Sequence, residues 1–263
     1  MAPMTRSPPA GLAERLNRAE RLMTEKAYQP AHALCLEVLE QAPGSAKAWF
    51  LLGVLAADHE NPSKAAELFG RAMVLDPADP KAPAQLARCF IALNRRDEAL
   101  GLAEEAERRG AADAHTQDTL GVVYSRLGLH ARAVGFFENA FAREPRHAGF
   151  AYNLAASRQF SGDFEGAETA YAATLALDPT LHRAWSSRVQ LRRQTPEANF
   201  IDALTGQFEA AGGDAERRLH LGHALAKTYE DLGEPETALG WLLKAKSAKR
   251  RQVGYDPRVD AEL

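Results

Sequence analysis

Apolar residues return along this chain at one long interval. Alanines stand 34 residues apart at Ala31, Ala65, Ala99, Ala133 and Ala167, and leucines keep the same interval at Leu52, Leu86, Leu120 and Leu154. A third series, Pro43, Pro77, Pro145 and Pro179, holds the beat and misses only at Ala111. Between the apolar positions lie stretches such as Ala103 to Arg109, where charges alternate in sign as they do on a solvated helix face. The pattern predicts repeated pairs of amphipathic helices. Proline closes each unit, because it cannot continue a helix and pushes the preceding residue out of helical geometry; Asp76-Pro77, Glu144-Pro145 and Asp178-Pro179 are such breaks. One helix pair cannot cover its own apolar faces, whereas stacked pairs can.

Period and residue types together resemble the tetratricopeptide repeat, a helix–turn–helix unit. Residues 46–79 fit best, with Trp49, Leu52, Gly53, Ala65, Phe69, Ala72 and Pro77 in the motif's slots and Ala56 where tyrosine is usual. Residues 114–147 carry Leu120, Gly121, Tyr124, Gly128, Ala133, Phe137, Ala140 and Pro145, with Gln117 in the tryptophan slot. Residues 80–113 keep Leu86, Phe90, Ala99 and Ala106, but Ala103 replaces the aromatic of the second helix. Residues 148–181 keep Leu154, Gly162, Ala167, Tyr171 and Pro179, and residues 12–45 retain Tyr28, Ala31 and Pro43. The resemblance implies an all-α, right-handed superhelical solenoid of antiparallel helix pairs, five of them over 12–181. Small residues let paired helices approach closely, so Gly53 and Gly121 are expected to face Ala65 and Ala133.

After Leu181 the beat is lost for about one repeat length and then resumes. His182 to Arg193 reads as a first helix bearing Trp185, stopped by Gln194-Thr195-Pro196. Phe200, Leu204 and Phe208 then predict a short amphipathic helix before Gly212-Gly213, completing an irregular helical repeat over 182–218. A last repeat-like unit spans 219–252, with Tyr229, Gly233, Ala238, Leu242 and Ala245 in register. Its second helix carries Trp241, Leu242 and Leu243 in a row, so apolar surface should remain there. Residues 1–11 read as a disordered leader and 253–263 as a linker or the start of a further helix.

Composition narrows the function classes. The 263 residues carry a net charge of −3, which leaves no basic footprint for nucleic acid. No run approaches the roughly 18 apolar residues of a membrane span, and Met1 to Ala10 lacks a signal peptide's apolar segment, so a cytoplasmic protein is expected. Cys35 and Cys89 fall on apolar helix faces and read as buried free thiols. His220 and His223, three apart on a helix, have no Cys, Asp or Glu at ligand spacing on this reading, and no metal is expected. Glycine-rich phosphate loops and the G-x-S-x-G elbow are absent, so the chain is read as carrying neither cofactor nor catalytic machinery. Lys244, Lys246, Lys249, Arg250 and Arg251 read as cations complementing a helix C-terminus.

Function in such an array belongs on the exposed faces of the first helices, the surface that solenoid curvature makes concave. The register places there Lys81, Gln85 and Arg88; His115, Asp118 and Ser125; Tyr152, Asn153 and Gln159; Arg183, Ser186 and Gln190; and His220, His223 and Lys227. These polar, aromatic and guanidinium groups suit an extended peptide or partner protein. Tetratricopeptide domains that hold chaperone C-termini clamp a carboxylate with Lys, Asn and Arg. Here Asn153 and Arg183 stand at clamp-like positions, but Tyr152 and Phe50 stand where the lysines would be.

The last third adds a second resemblance. The stretch from Leu219, with His220, His223, Ala224 to Lys227, Glu230-Asp231-Leu232-Gly233, Ala238, Lys249-Arg250-Arg251 and Tyr255-Asp256, resembles the final helical segment of bacterial repeat-containing sulfotransferases. The interrupted Thr195-Pro196-Glu197 segment resembles the same family. That family's P-x-S-G-T loop, which binds the donor's 5′-phosphosulfate, is not found between Met1 and Leu263, and Val259 to Leu263 read as the opening of a new amphipathic helix. The resemblance implies a non-catalytic repeat region that presents a protein or peptide, with a sulfotransferase domain in cis or trans. The alternative is a stand-alone adaptor in a bacterial envelope, secretion or chaperone assembly. A homodimer would use the last helix or the first, which bears Leu12, Leu16, Leu22 and Met23.

Overall fold

The computed structural model describes residues 10–254. Most of the expected leader, the Tyr255-Asp256 pair and the stretch from Val259 to Leu263 lie outside the described residues, as does the side chain of Arg251. Among the described residues the fold is all-α. A lone antiparallel bridge between Thr195 and Ala198 is the one extended pairing there. The chain divides into two compact units, one running through Arg143 and one beginning at Glu144.

The first unit is four helix pairs: α1 (Ala10–Thr24) with α2 (Tyr28–Gln41), α3 (Ala46–Asp58) with α4 (Pro62–Leu75), α5 (Lys81–Ala92) with α6 (Arg96–Arg108), and α7 (Ala114–Arg126) with α8 (His130–Arg143). Short polar side chains start several of these helices by accepting otherwise orphaned backbone N–H groups: Ser45 from Ala48, Asn61 from Lys64 and Asp113 from Thr116. The turn inside each pair needs one residue at positive φ. Lys26, Glu60, Asn94 and Gly128 supply it at 34-residue steps, and Gly162 continues the series in the second unit. Only glycine takes that conformation without a Cβ penalty, so Lys26 and Glu60 hold it under strain.

In α3/α4 and α7/α8 the core of the pair is a ring against a glycine. Phe69 and Phe137 are buried, and a Cβ on Gly53 or Gly121 would stand 2.7 or 2.6 Å from their ring carbons. Each glycine makes room for the aromatic of the partner helix, a contact the repeat register did not name. In the last pair of the chain a small–small contact occurs, where a Cβ on Gly222 would lie 2.4 Å from that of Ala245. The tryptophan slot also has a polar task. Trp49 Nε1 donates to the carbonyl of Pro43, and Gln117 Nε2 donates to the carbonyl of Ala111 from the equivalent position. Gln117 thus departs from the motif in shape while keeping its donor.

The second unit contains α9 (Ala148–Phe160) paired with α10 (Phe164–Leu177), then α11 (His182–Gln190), α12 (Ile201–Ala210), and α13 (Ala215–Asp231) paired with α14 (Pro235–Val253). Trp185 on α11 repeats the donor contact, to Pro179. Beyond Gln190 the chain leaves the helix, and the residues up to Phe200 are pinned rather than paired. The Arg193 guanidinium donates to the Asp231 carbonyl and the Gln194 N–H to the Asp231 carboxylate. Arg188 sits over the Phe200 ring and pairs with Glu168 at 2.7 Å. With no helix directly after it to complete a pair, α11 packs on α13 as well as on α10. Asp214 caps α13 by accepting from Glu216 and Arg217, so that helix opens at Ala215, ahead of the expected boundary at Leu219.

Both cysteines are buried and unbridged. Burial raises both thiols, Cys35 to about 11, so they are inert at neutral pH. Two expectations about exposed apolar ends change. Leu12 and Leu16 are buried in the first unit's core, with Leu22 and Met23 packed against it, so α1 offers no apolar face through them. On α14 the Trp241 ring is half-buried, standing edge-on to Phe208 at 5.2 Å, and Leu239 and Leu243 are the exposed apolar side chains there.

Candidate functional site

The first-helix residues singled out above fall in both units, and their surroundings differ. On α5 and α7 of the first unit, Lys81, Arg88 and His115 are exposed, while Asp118 is half-buried. Gln85 Nε2 donates to Thr119 Oγ1 on the neighbouring first helix at 3.3 Å, which leaves the Gln85 Oε1 buried and unbonded. Ser125 is engaged with His130 Nδ1 at the start of α8. Of this group, then, Ser125 serves its own helical turn.

In the second unit, Tyr152 and Asn153 on α9 are half-buried, and Gln159 accepts a hydrogen bond from the Tyr171 hydroxyl at 2.9 Å. Burial pushes the Tyr171 phenol up to about 12. Gln159 is thus a partner of the buried tyrosine of α10, with an internal role the register could not show. Arg183 is exposed and pairs with Glu216 at 3.2 Å.

The remaining five converge. Ser186 and Gln190 on α11 face His220, His223 and Lys227 on α13 across a cleft of about 290 Å³, floored by Val189 and Ala224. Ser186 Oγ donates to the His220 carbonyl at 3.1 Å, which ties the two walls together. Gln190 and His223 are exposed at the rim. Lys227 pairs with Asp231, one turn on, whose carboxylate also receives the Gln194 N–H. Burial pushes the Asp231 carboxyl up, but these hydrogen bonds outweigh it and hold it below the usual aspartate value. The His223 ring is lowered by burial and by the charge of Lys246, so it presents a neutral imidazole near neutral pH. The cleft therefore combines an apolar floor with amide, imidazole and ammonium groups at its edges.

Two features were missed from the sequence. A groove of about 680 Å³ in the first unit runs between α2 and α4 over α3, walled by Tyr28, Leu36, Trp49, Leu55 and Leu68. Its walls come mainly from second helices, which the register assigns to the outside. The second feature corrects the statement that no acidic group stands at ligand spacing from His220. Glu216 lies one helical turn before it, and His182 of α11 brings its ring to 4.9 Å from that of His220.

Comparison with known proteins agrees with this architecture. The family described as tetratricopeptide repeat matches residues 56–120. Residues 56–120 carry tetratricopeptide repeats. Its fold is similar to that of TTC0263, a thermophilic tetratricopeptide protein of Thermus thermophilus, at 20% identity and a TM-score of 0.57, over 68% of this chain and 98% of that one. It is also similar to pilF of Pseudomonas aeruginosa, at 17% identity and a TM-score of 0.58, over 87% and 96% of the two chains. YrrB, described as a tetratricopeptide protein with an unusual peptide-binding site, matches at 16% identity and a TM-score of 0.50, over 78% of this chain and 96% of its own. Identities this low establish the shared fold and nothing finer. No curated protein matches the sequence. Tetratricopeptide repeats ordinarily mediate contacts between proteins and are not themselves catalytic. Among the described residues no helix is long and apolar enough to cross a membrane.

Proposed function

We propose that this tetratricopeptide chain is a non-catalytic cytoplasmic scaffold that holds an extended peptide of a partner protein on its first helices, chiefly in the cleft between α11 and α13. The observation that carries this reading is the convergence of Ser186, Gln190, His220, His223 and Lys227 on one cleft with an apolar floor. A peptide backbone has donors and acceptors at every residue, and the Gln190 amide, His223 imidazole and Lys227 ammonium can meet them while Val189 and Ala224 receive a small apolar side chain. The peptide-binding site described for YrrB, which shares the fold, is in keeping with this use of the repeats.

The finer assignment, to the repeat region of a sulfotransferase-type protein, is supported by the stretch from Leu219 to Gln252 and by the interrupted segment at Thr195. The exposed Leu239 and Leu243 of α14 would then lie against the catalytic domain. Reading the coding sequence beyond the Leu263 codon separates the two assignments: a P-x-S-G-T loop supports the sulfotransferase, and an unrelated sequence leaves the adaptor. The peptide-holding claim is tested by selecting ligands from a displayed random-peptide library against the full chain. Substitution of Gln190, His223 or Lys227 by alanine is expected to weaken a selected peptide by roughly tenfold each, the scale of one lost polar contact of about 1.4 kcal/mol. Affinities unchanged by all three substitutions would sink it.

A further inference from the structure

We propose that His182, Glu216 and His220 form a zinc-class metal site that joins α11 to α13. One ligand atom from each of the three lies within 4.8 Å of the others. Glu216 and His220 are one turn apart on α13 and so share a face, and His182 meets them from α11. A tetrahedral ion with bonds near 2.1 Å needs ligand atoms about 3.4 Å apart. Binding therefore requires the three side chains to draw together from a spacing of up to 4.8 Å. His182 Nε2 is buried and has no hydrogen-bond partner, an orphaned polar atom that a metal bond would satisfy.

Two imidazoles and one carboxylate select zinc, cobalt or nickel over magnesium and calcium, which prefer all-oxygen shells. Three protein ligands leave the fourth position to water or to a donor side chain of a bound partner. Glu216 is currently shared: its Oε1 accepts from Arg183 at 3.2 Å. Metal and Arg183 therefore compete for one carboxylate, and Arg183 tunes the affinity of the site. His223 is not a member of the triad, so the pair that the sequence suggests is not the pair that binds. This inference is independent of the peptide-holding role, since the triad sits beside the cleft and shares only His220 with it.

The test is isothermal titration of the chelator-stripped full chain with zinc chloride, repeated with cobalt chloride to read the visible absorption of a tetrahedral cobalt centre. The wild type is expected to bind one ion. His182→Gln and His220→Gln should each weaken binding by about a hundredfold, Glu216→Gln by about tenfold, and Arg183→Ala should tighten it. His223→Ala should leave zinc binding unchanged, although the same change is expected to weaken a bound peptide. Circular dichroism checks that each variant keeps its helices. Should either histidine variant fail to fold, Glu216→Gln and Arg183→Ala carry the test, because both positions are exposed and their effects must have opposite signs. Absence of zinc binding by the wild type, or loss of binding in His223→Ala with full binding in His182→Gln, overturns the proposal.

Discussion

Replacing Gly121 by alanine sets two effects of opposite sign against each other. In an exposed helix interior the change is favourable by about 1 kcal/mol, because glycine loses more backbone freedom on folding. At Gly121 the new Cβ would stand 2.6, 2.7 and 2.9 Å from three carbons of the Phe137 ring. Carbon atoms rest at about 3.5–4.0 Å, so ring or helix must move by roughly 1 Å. The ring is 2% exposed and has nowhere to swing. Overpacking of this kind costs about 1–3 kcal/mol, so Gly121→Ala should destabilise the chain by up to about 2 kcal/mol net. Gly135 on α8 supplies the contrast: nothing lies within 4 Å of its hypothetical Cβ, and Gly135→Ala should stabilise by about 0.5–1 kcal/mol. Urea unfolding followed by circular dichroism measures both. Adding Phe137→Leu to Gly121→Ala should recover part of the loss, a coupling beyond the roughly 0.5 kcal/mol expected of independent sites. If Gly121→Ala stabilises as much as Gly135→Ala, or if the pair is additive, the packing argument is refuted.

Three further outcomes are expected. Glu60 holds φ at 55° in a turn where Gly128 and Gly162 stand in later repeats. Glu60→Gly should therefore raise stability by about 0.5–1 kcal/mol in thermal denaturation, the opposite of the usual effect of glycine. Gln117→Leu removes the donor to the Ala111 carbonyl and should cost about 1 kcal/mol, whereas Gln117→Trp restores an N–H at that place and most of the stability; equal melting temperatures would contradict this. The Asp231 carboxyl is held below its ordinary value, so its contribution is complete above the unfolded value near about 4 and is lost as pH falls through the folded one. The stability gap between wild type and Asp231→Asn should be flat from about pH 5 upward and shrink only below about pH 4, and a gap that persisted into stronger acid would contradict the assignment.

Fold class was readable because the 34-residue beat is carried by residues with separate physical jobs. Prolines break helices, alanines permit close packing, and a residue at positive φ turns the chain at Lys26, Glu60, Asn94, Gly128 and Gly162. That last series is hidden in the sequence, since only two of its members are glycine. Which side chain fills the space a glycine leaves is a three-dimensional matter, and the contact of the Phe137 ring with Gly121 could not be read from the register. The candidate site was readable only in part. Register names a helix face, and it cannot tell that Gln159 is occupied by Tyr171 or Ser125 by His130. His182 and His220 were not connected because they stand 38 residues apart, one helical turn beyond the 34-residue step that leads from His182 to Glu216. The repeat interval from His182 leads to Glu216, and Glu216 and His220 stand at helical spacing, so the triad was in plain view once histidine and glutamate were read together.

The most direct test of the peptide-holding claim is the hydrogen-exchange footprint of a selected peptide on the full chain. The account predicts slowed exchange in α11 and α13 around the cleft, with α10 and α14 unchanged. Protection confined to α2 and α4, beside the groove of the first unit, would contradict it and move the binding site to the outer helices.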